Sequence, residues 1–198
     1  GPMAKWVAQI DLAERIPEMV SRAFHVATSG RPGPVVLALP EDMLVERSDV
    51  ADAAPYTVTQ AHPGDDDLQR MRDLLQAAKR PLVIVGGAPW TSRAHDDLTS
   101  WCEESGLAVA SAWRCQDYVD NASPAYVGHL GLGPDPRLAA RVLEADVVLA
   151  LGARLGEITT SGYTLLEVPR PAQRLVHVQA DPDELGRVYE PHLAIASS

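Results

Sequence analysis

The chain is poor in the residue patterns that mark a self-sufficient catalytic centre. It has two cysteines in 198 residues, Cys102 and Cys115. Neither lies in a Cys-x-x-Cys pair or at a Cys/His ligand spacing, so a four-ligand structural zinc site is not expected, nor any other metal site. Two unpatterned thiols without a secretory signal suit a reducing, cytoplasmic setting. Cations are scarce: 17 Lys+Arg stand against 27 Asp+Glu, a formal net charge of −10. Phosphate contacts need a clustered cationic surface, so no nucleic-acid partner is expected. No apolar run reaches the length of a membrane span, and no membrane partner is expected. Internal repeats and low-complexity tracts are also missing. None of the six histidines, His25, His62, His95, His129, His177 and His192, stands beside a Ser, Cys or acid in a nucleophile motif. No general base, nucleophile or metal cage emerges, so no catalytic residue is assigned.

What remains is the composition of a globular domain, 46% hydrophobic and 22% charged, at a length that fits one domain or one and part of another. Gly1-Pro2-Met3 reads as a cleavage scar and start Met. Residues 4–45 hold one helix and one strand. Leu12, Ala13, Ile16, Met19, Val20, Ala23, Phe24 and Ala27 recur at helical spacing, with Pro17 tolerated only in a first turn and Gly30 placed to stop the helix. The run Val35 to Leu39 predicts a strand buried on both faces. One helix and one strand make no core alone, so this segment reads as an arm or a remnant of another domain. Residues 46–64 are rich in Asp, Pro, Thr and Gly without a period, and read as a linker.

From residue 65 to 198 strands alternate with helices. Strands are predicted at Leu82–Val85, Leu107–Ala110, Val147–Leu151 and Leu175–Val178. Helices are predicted from Asp65 towards Lys79 and Arg80, from Ser92 to Ser105 with Gly106 as stop, and from Arg137 to Ala145. This is the signature of an α/β fold: a Rossmann-like open parallel sheet with helices on both faces.

Ligands of such sheets bind at the carboxyl ends of the strands. Gly86 and Gly87, followed by Ala88-Pro89-Trp90, allow close backbone approach, or form a plain turn; the full G-x-G-x-x-G fingerprint is absent. Trp113 and Arg114 follow the second strand. Gly128, His129 and Gly131 lie in a glycine-rich stretch that reads as a ligand loop or a flexible one. Gly152, Ala153 and Arg154 follow the third strand, where Arg154 either grips a phosphate or carboxylate or forms a surface ion pair. Asp181 bonds a ribose hydroxyl or caps the short helix that Pro182 opens. Cys115 is either an inert thiol or one with its pKa lowered by the neighbouring Arg114. His177 alternates into the core. These strand-end residues are expected to converge on one crevice.

Several stretches resemble a known family. Gly30-Arg31-Pro32-Gly33-Pro34-Val35 with Leu39-Pro40-Glu41-Asp42 is similar to the end of the pyrimidine-binding domain of thiamine-diphosphate-dependent enzymes. Arg80-Pro81-Leu82-Val83-Ile84-Val85-Gly86-Gly87, Ala145-Asp146 through Gly152-Ala153-Arg154, and Val176-His177-Val178 through Asp181-Pro182 to Leu185-Gly186-Arg187 resemble the central domain of acetolactate synthase-like members. The resemblance implies a parent that decarboxylates and joins 2-oxo acids with thiamine diphosphate and Mg²⁺. It implies an activating Glu in an N-terminal domain and a Gly-Asp-Gly…Asn motif in a C-terminal one. Those two domains are the expected partners, within a homo-oligomer. The chain is thus expected to be inactive alone. Some members carry FAD or an ADP-containing ligand on the central domain. Where they often read Asp-Asp-Arg after Gly-Ala-Arg, this chain has Leu155-Gly156-Glu157-Ile158, and the first Asp of Asp-x-Asp-Pro is Gln179. The crevice is therefore expected to be empty or to hold only a weak ADP-like ligand. The competing readings are a stand-alone NAD- or FAD-binding oxidoreductase domain and a non-catalytic assembly module.

Overall fold

The computed structural model describes residues 3–87 and 90–198. The cleavage scar at Gly1-Pro2 and the turn residues Ala88-Pro89 lie outside the described residues. The chain divides into two compact units, one running to Gln60 and one from Ala61 to Ser198.

The first unit is a β-α-β element. Strand β1 (Trp6–Gln9) pairs in parallel with β2 (Val35–Ala38), and α1 (Ile16–Thr28) crosses between them. Pro17 sits in the first turn of α1, where its missing N–H costs nothing. A single turn, α2 (Glu41–Leu44), follows. Ile10, Ala13, Met19 and Met43 form the core, against Trp6, Ala8, Ile16 and Leu37. The predicted strand forms, but burial on both faces does not: Val36 stays 49% exposed and Leu39 48%. The strand has one neighbour, and within this unit only one of its faces is covered. An apolar run reads the same in either case. Residues 45–64 contain no helix or strand.

The second unit is a six-stranded sheet, all parallel, made of β3 (Pro81–Val85), β4 (Ala108–Ser111), β5 (Tyr126–His129), β6 (Val147–Leu151), β7 (Arg174–Gln179) and β8 (Leu193–Ala196). The spatial order is β5-β4-β3-β6-β7-β8. The chain winds outward from β3 to β5, returns to the centre, and winds the other way, so β3 and β6 are the switch point. Two helices, α3 (Asp65–Ala77) and α4 (Ser92–Ser105), cover one face, where Leu98, Cys102, Met71 and Leu75 pack on Val83, Val85, Val109, Leu149 and Val176. The other face is covered by α5 (Pro136–Glu144) through Leu138 and Val142, and by the non-helical segment carrying Leu155, Leu165 and Leu166. Thr91 caps α4 by accepting from the Ala94 N–H, and Gly106 ends it at φ +66°.

Four of these six strands follow from the sequence; β5 and β8 do not. Both lie at the sheet edges. Strand β5 contains a glycine, and β8 alternates buried and exposed over only four residues. At the amino end of the central pair, the Asp146 carboxylate accepts the N–H groups of Lys79 at 2.6 Å and Arg80 at 2.9 Å. That ties the start of β6 to the start of β3.

Candidate functional site

At the carboxyl end of the central pair, Gly86, Gly87 and Gly152 meet. A Cβ on Gly87 would stand 2.1 Å from the Gly152 carbonyl oxygen, and one on Gly152 would stand 2.4 Å from that of Gly86. Gly87 and Gly152 also have φ of +74° and +66°, a region that favours glycine. The close backbone approach that glycine permits is thus made here to the neighbouring strand. The Trp90 indole N–H donates to the Gly86 carbonyl at 3.0 Å, and the Tyr118 hydroxyl donates to that of Gly87. Trp90, His95 and Tyr118 pack ring against ring, with centroids 4.9–5.7 Å apart. Buried Gln179 completes the seam: its side-chain amide donates to the Gly152 carbonyl at 2.9 Å. A carboxylate at position 179 would face that oxygen with a second acceptor.

The other sequence candidates distribute as follows. Trp113 packs on Gly131, whose added Cβ would lie 2.7 Å from the indole Cδ1. The Arg114 guanidinium sits 4.2 Å above the Trp113 ring, with the residue at φ +64°. Of the two readings of Cys115 the structure supports the inert thiol: burial pushes it upward, and the Gly87 backbone and Tyr118 only partly offset that. Gly128, at φ +113°, lies against Leu138, and His129 is exposed on edge strand β5. Ala153 is fully buried, and its carbonyl accepts from His177 at 2.9 Å. Arg154 makes an ion pair with Glu184 at 3.1 Å. Asp181 caps the turn Pro182–Glu184 by accepting from the Asp183 N–H. The structure thus joins Gly86, Gly87 and Gly152 in one seam, and Trp113, Arg114 and Gly131 in a second contact. Trp90, His95 and Tyr118 were not among the sequence candidates, and Gln179 was read there only as a departure from the family's pattern; packing rather than any spacing motif brings them to the seam.

Beside the seam, on the α3/α4 face, lies a cavity of about 280 Å³. Leu68, Met71, Trp90, Leu151, Val178 and Ile195 make most of its wall, and no Lys, Arg or His is among its described lining residues. It suits an apolar group and offers no charge to a phosphate. The seam itself has its glycine approach filled by backbone. The described lining of the cavity offers a diphosphate no cation, and the described glycines of the seam meet backbone. Among the described residues no group of three or more His, Cys, Asp and Glu side chains is placed to hold a metal ion. None of the described helices is long and apolar enough to cross a membrane.

A doubly wound parallel sheet, with its switch point closed by glycine-to-glycine contact, defines an α/β domain of Rossmann-like architecture. Residues 68–198 match the family described as thiamine pyrophosphate enzyme, central domain, and the chain belongs to that family. It is similar to the acetolactate synthase large subunit of Parasynechococcus marenigrum, 31% identical over 183 residues, covering 89% of this chain and 29% of that protein. It is 28% identical to acetolactate synthase isozyme 1 large subunit of Escherichia coli, covering 98% of this chain and 34% of that one. The Haemophilus influenzae large subunit is 26% identical, covering 94% and 33%. The chain therefore spans about a third of the length of the curated relatives it matches.

Proposed function

We propose that this chain serves as the non-catalytic central portion of an acetolactate synthase-like, thiamine-diphosphate-dependent enzyme acting on 2-oxo acids, with residues 4–45 the tail of its pyrimidine-binding domain, 46–64 a linker and 65–198 the central domain. Its role is to hold the N- and C-terminal catalytic domains in register within a homo-oligomer. The observation that supports this most is the closed seam: strand ends that would otherwise receive a ligand are filled by Gly87, Gly152, Trp90 and Gln179. Thiamine diphosphate and Mg²⁺ would be held by residues of the catalytic domains. The described residues here offer no fitting donor set.

Calorimetric titration of the chain with thiamine diphosphate and Mg²⁺ tests the reading. No binding is expected, and a micromolar dissociation constant overturns it. The purified protein should also be colourless, and ADP should bind weakly. A yellow preparation with stoichiometric flavin, lost in Arg154→Ala, would restore the crevice as a dinucleotide site.

A further inference from the structure

The stretch from Val45 to Gly64 holds no helix or strand, yet it is not free along its length. The Glu46 carboxylate accepts the Ala13 N–H at 3.2 Å, just ahead of α1. An N–H at the start of a helical segment has no partner within it, and a carboxylate suits it. At the other end of α1 the half-buried Tyr56 ring meets the His25 ring edge to face, with centroids 4.5 Å apart at 75°. The Tyr56 hydroxyl is engaged by the side chains of Ser29 and Thr28. It also accepts the Thr59 N–H at 3.3 Å. The Thr28 and Ser29 hydroxyls donate back to the Phe24 and His25 carbonyls, so this helix end is itself closed. The 13 residues of α1 rise about 20 Å, and the chain from Glu46 to Tyr56 reaches about 35 Å when extended. It therefore spans the helix between its two fastenings with slack.

A third fastening lies in the second unit. The Ser198 N–H and hydroxyl each donate to the Ala61 carbonyl at 3.1 Å, just past β8. Between Tyr56 and Ala61 only four residues remain, Thr57, Val58, Thr59 and Gln60, and the two units divide at Gln60. A flexible stretch of four residues has a root-mean-square reach of about 11 Å. If Tyr56 lets go while Glu46 holds, the free stretch becomes 47–60, with a reach of about 20 Å. Glu46 lies on the far side of Tyr56 from the second unit, so it sets no limit while Tyr56 is held. The contacts of Tyr56 lie near the surface, where each contributes little, so release is not costly.

We propose that Tyr56 is a latch on α1 that sets the length of the tether between the two units: closed on His25 it leaves four free residues, and open it leaves fourteen. The inference rests on contacts within each unit and is independent of the catalytic reading above. The test is the distribution of distances between two spin labels, on Glu41→Cys in the first unit and Glu104→Cys in the second, both exposed positions. The full chain is used in a Cys115→Ser background, diluted with unlabelled chain so that only distances within one chain are read. Cys102 is fully buried and stays unlabelled. The variants are Tyr56→Ala, His25→Ala and the control Asp52→Ala. Tyr56 and Asp52 lie outside every helix and strand, and His25 is exposed on α1, so all three should fold, as circular dichroism will show. Tyr56→Ala and His25→Ala should each broaden the distribution about twofold, as the square root of tether length requires. Asp52→Ala should leave it unchanged. The His25 ring-proton resonances should move in Tyr56→Ala and stay in place in Asp52→Ala. An unchanged width in Tyr56→Ala, equal broadening in Asp52→Ala, or unmoved His25 resonances in Tyr56→Ala would each overturn the proposal.

Discussion

The carbonyl oxygen of Gly152 occupies the place where any side chain on residue 87 would begin, 2.1 Å from an ideal Cβ. Gly87→Ala must therefore push two central strand ends apart and also hold alanine at φ +74°. The two costs together are roughly 2–4 kcal/mol. Gly106 separates them: it has φ +66° but nothing within 4 Å of its would-be Cβ. Gly106→Ala should lose only about 1 kcal/mol. Urea unfolding of both variants measures the difference, and equal losses would mean that the contact at Gly87 relaxes freely.

Gln179 closes the same seam by donation. Gln179→Glu replaces a buried donor with a charged acceptor facing the Gly152 carbonyl. It should cost about 2–3 kcal/mol at neutral pH. Part of the loss should return on acidification, because a protonated carboxyl can donate again. A variant equally destabilised at pH 4 and pH 7 would contradict this, with wild type as the reference at each pH.

The two thiols should react at very different rates. Cys102 is fully buried, and burial pushes its pKa up to about 11. Cys115 is half-buried and less perturbed. With a chromogenic disulfide at mildly alkaline pH, one thiol should react in the native protein and the second only on unfolding. Cys115→Ser should remove the native-state reaction; persistence of that reaction would assign it to Cys102.

His177 gives the fold an acid-sensitive step. Its folded pKa lies below the ordinary value of 6.5 because burial disfavours the imidazolium. Between the folded and unfolded values the unfolded chain binds more protons, so stability falls as pH falls through that window. The contribution is fully present above about pH 6.5. His177→Gln should flatten the dependence of unfolding free energy on pH below that point, while wild type keeps its slope. Parallel profiles would show that other groups carry it.

Asp146 acts lower on the pH scale. Burial raises its pKa, but the N–H groups of Lys79, Arg80 and its own strand start outweigh that and hold it below the usual carboxylate value. Its contribution is present above the unfolded carboxylate pKa and is lost as pH falls through the lower folded value. Asp146→Ala should cost about 1 kcal/mol at pH 7, since the site is open to solvent. The gap to wild type should close in strong acid; an unchanged gap would refute the assignment.

The interior of this fold was legible because buried parallel strands leave unbroken apolar runs: β3 and β6 match their predicted spans within a residue, and α4 matches at both ends. The edge strands β1, β5 and β8 were not, because four half-covered residues carry too little pattern to stand out. The candidate site was legible as a set of strand ends but not in its use. Sequence cannot distinguish a glycine that admits a ligand from one that admits the next strand, and Gly87 and Gly152 are of the second kind. Arg154 was open between an anion grip and an ion pair, because its partner Glu184 lies a whole strand away. Trp90, His95 and Tyr118 come together only through packing.

The central strand pair is fastened at both ends, by Asp146 on the amino side and by the glycine contact with Trp90 and Gln179 on the carboxyl side. Like a book sewn at head and foot, the sheet has a spine that cannot gape. Parting its two halves would have to break both fastenings and the hydrogen-bonded ladder between β3 and β6 at once.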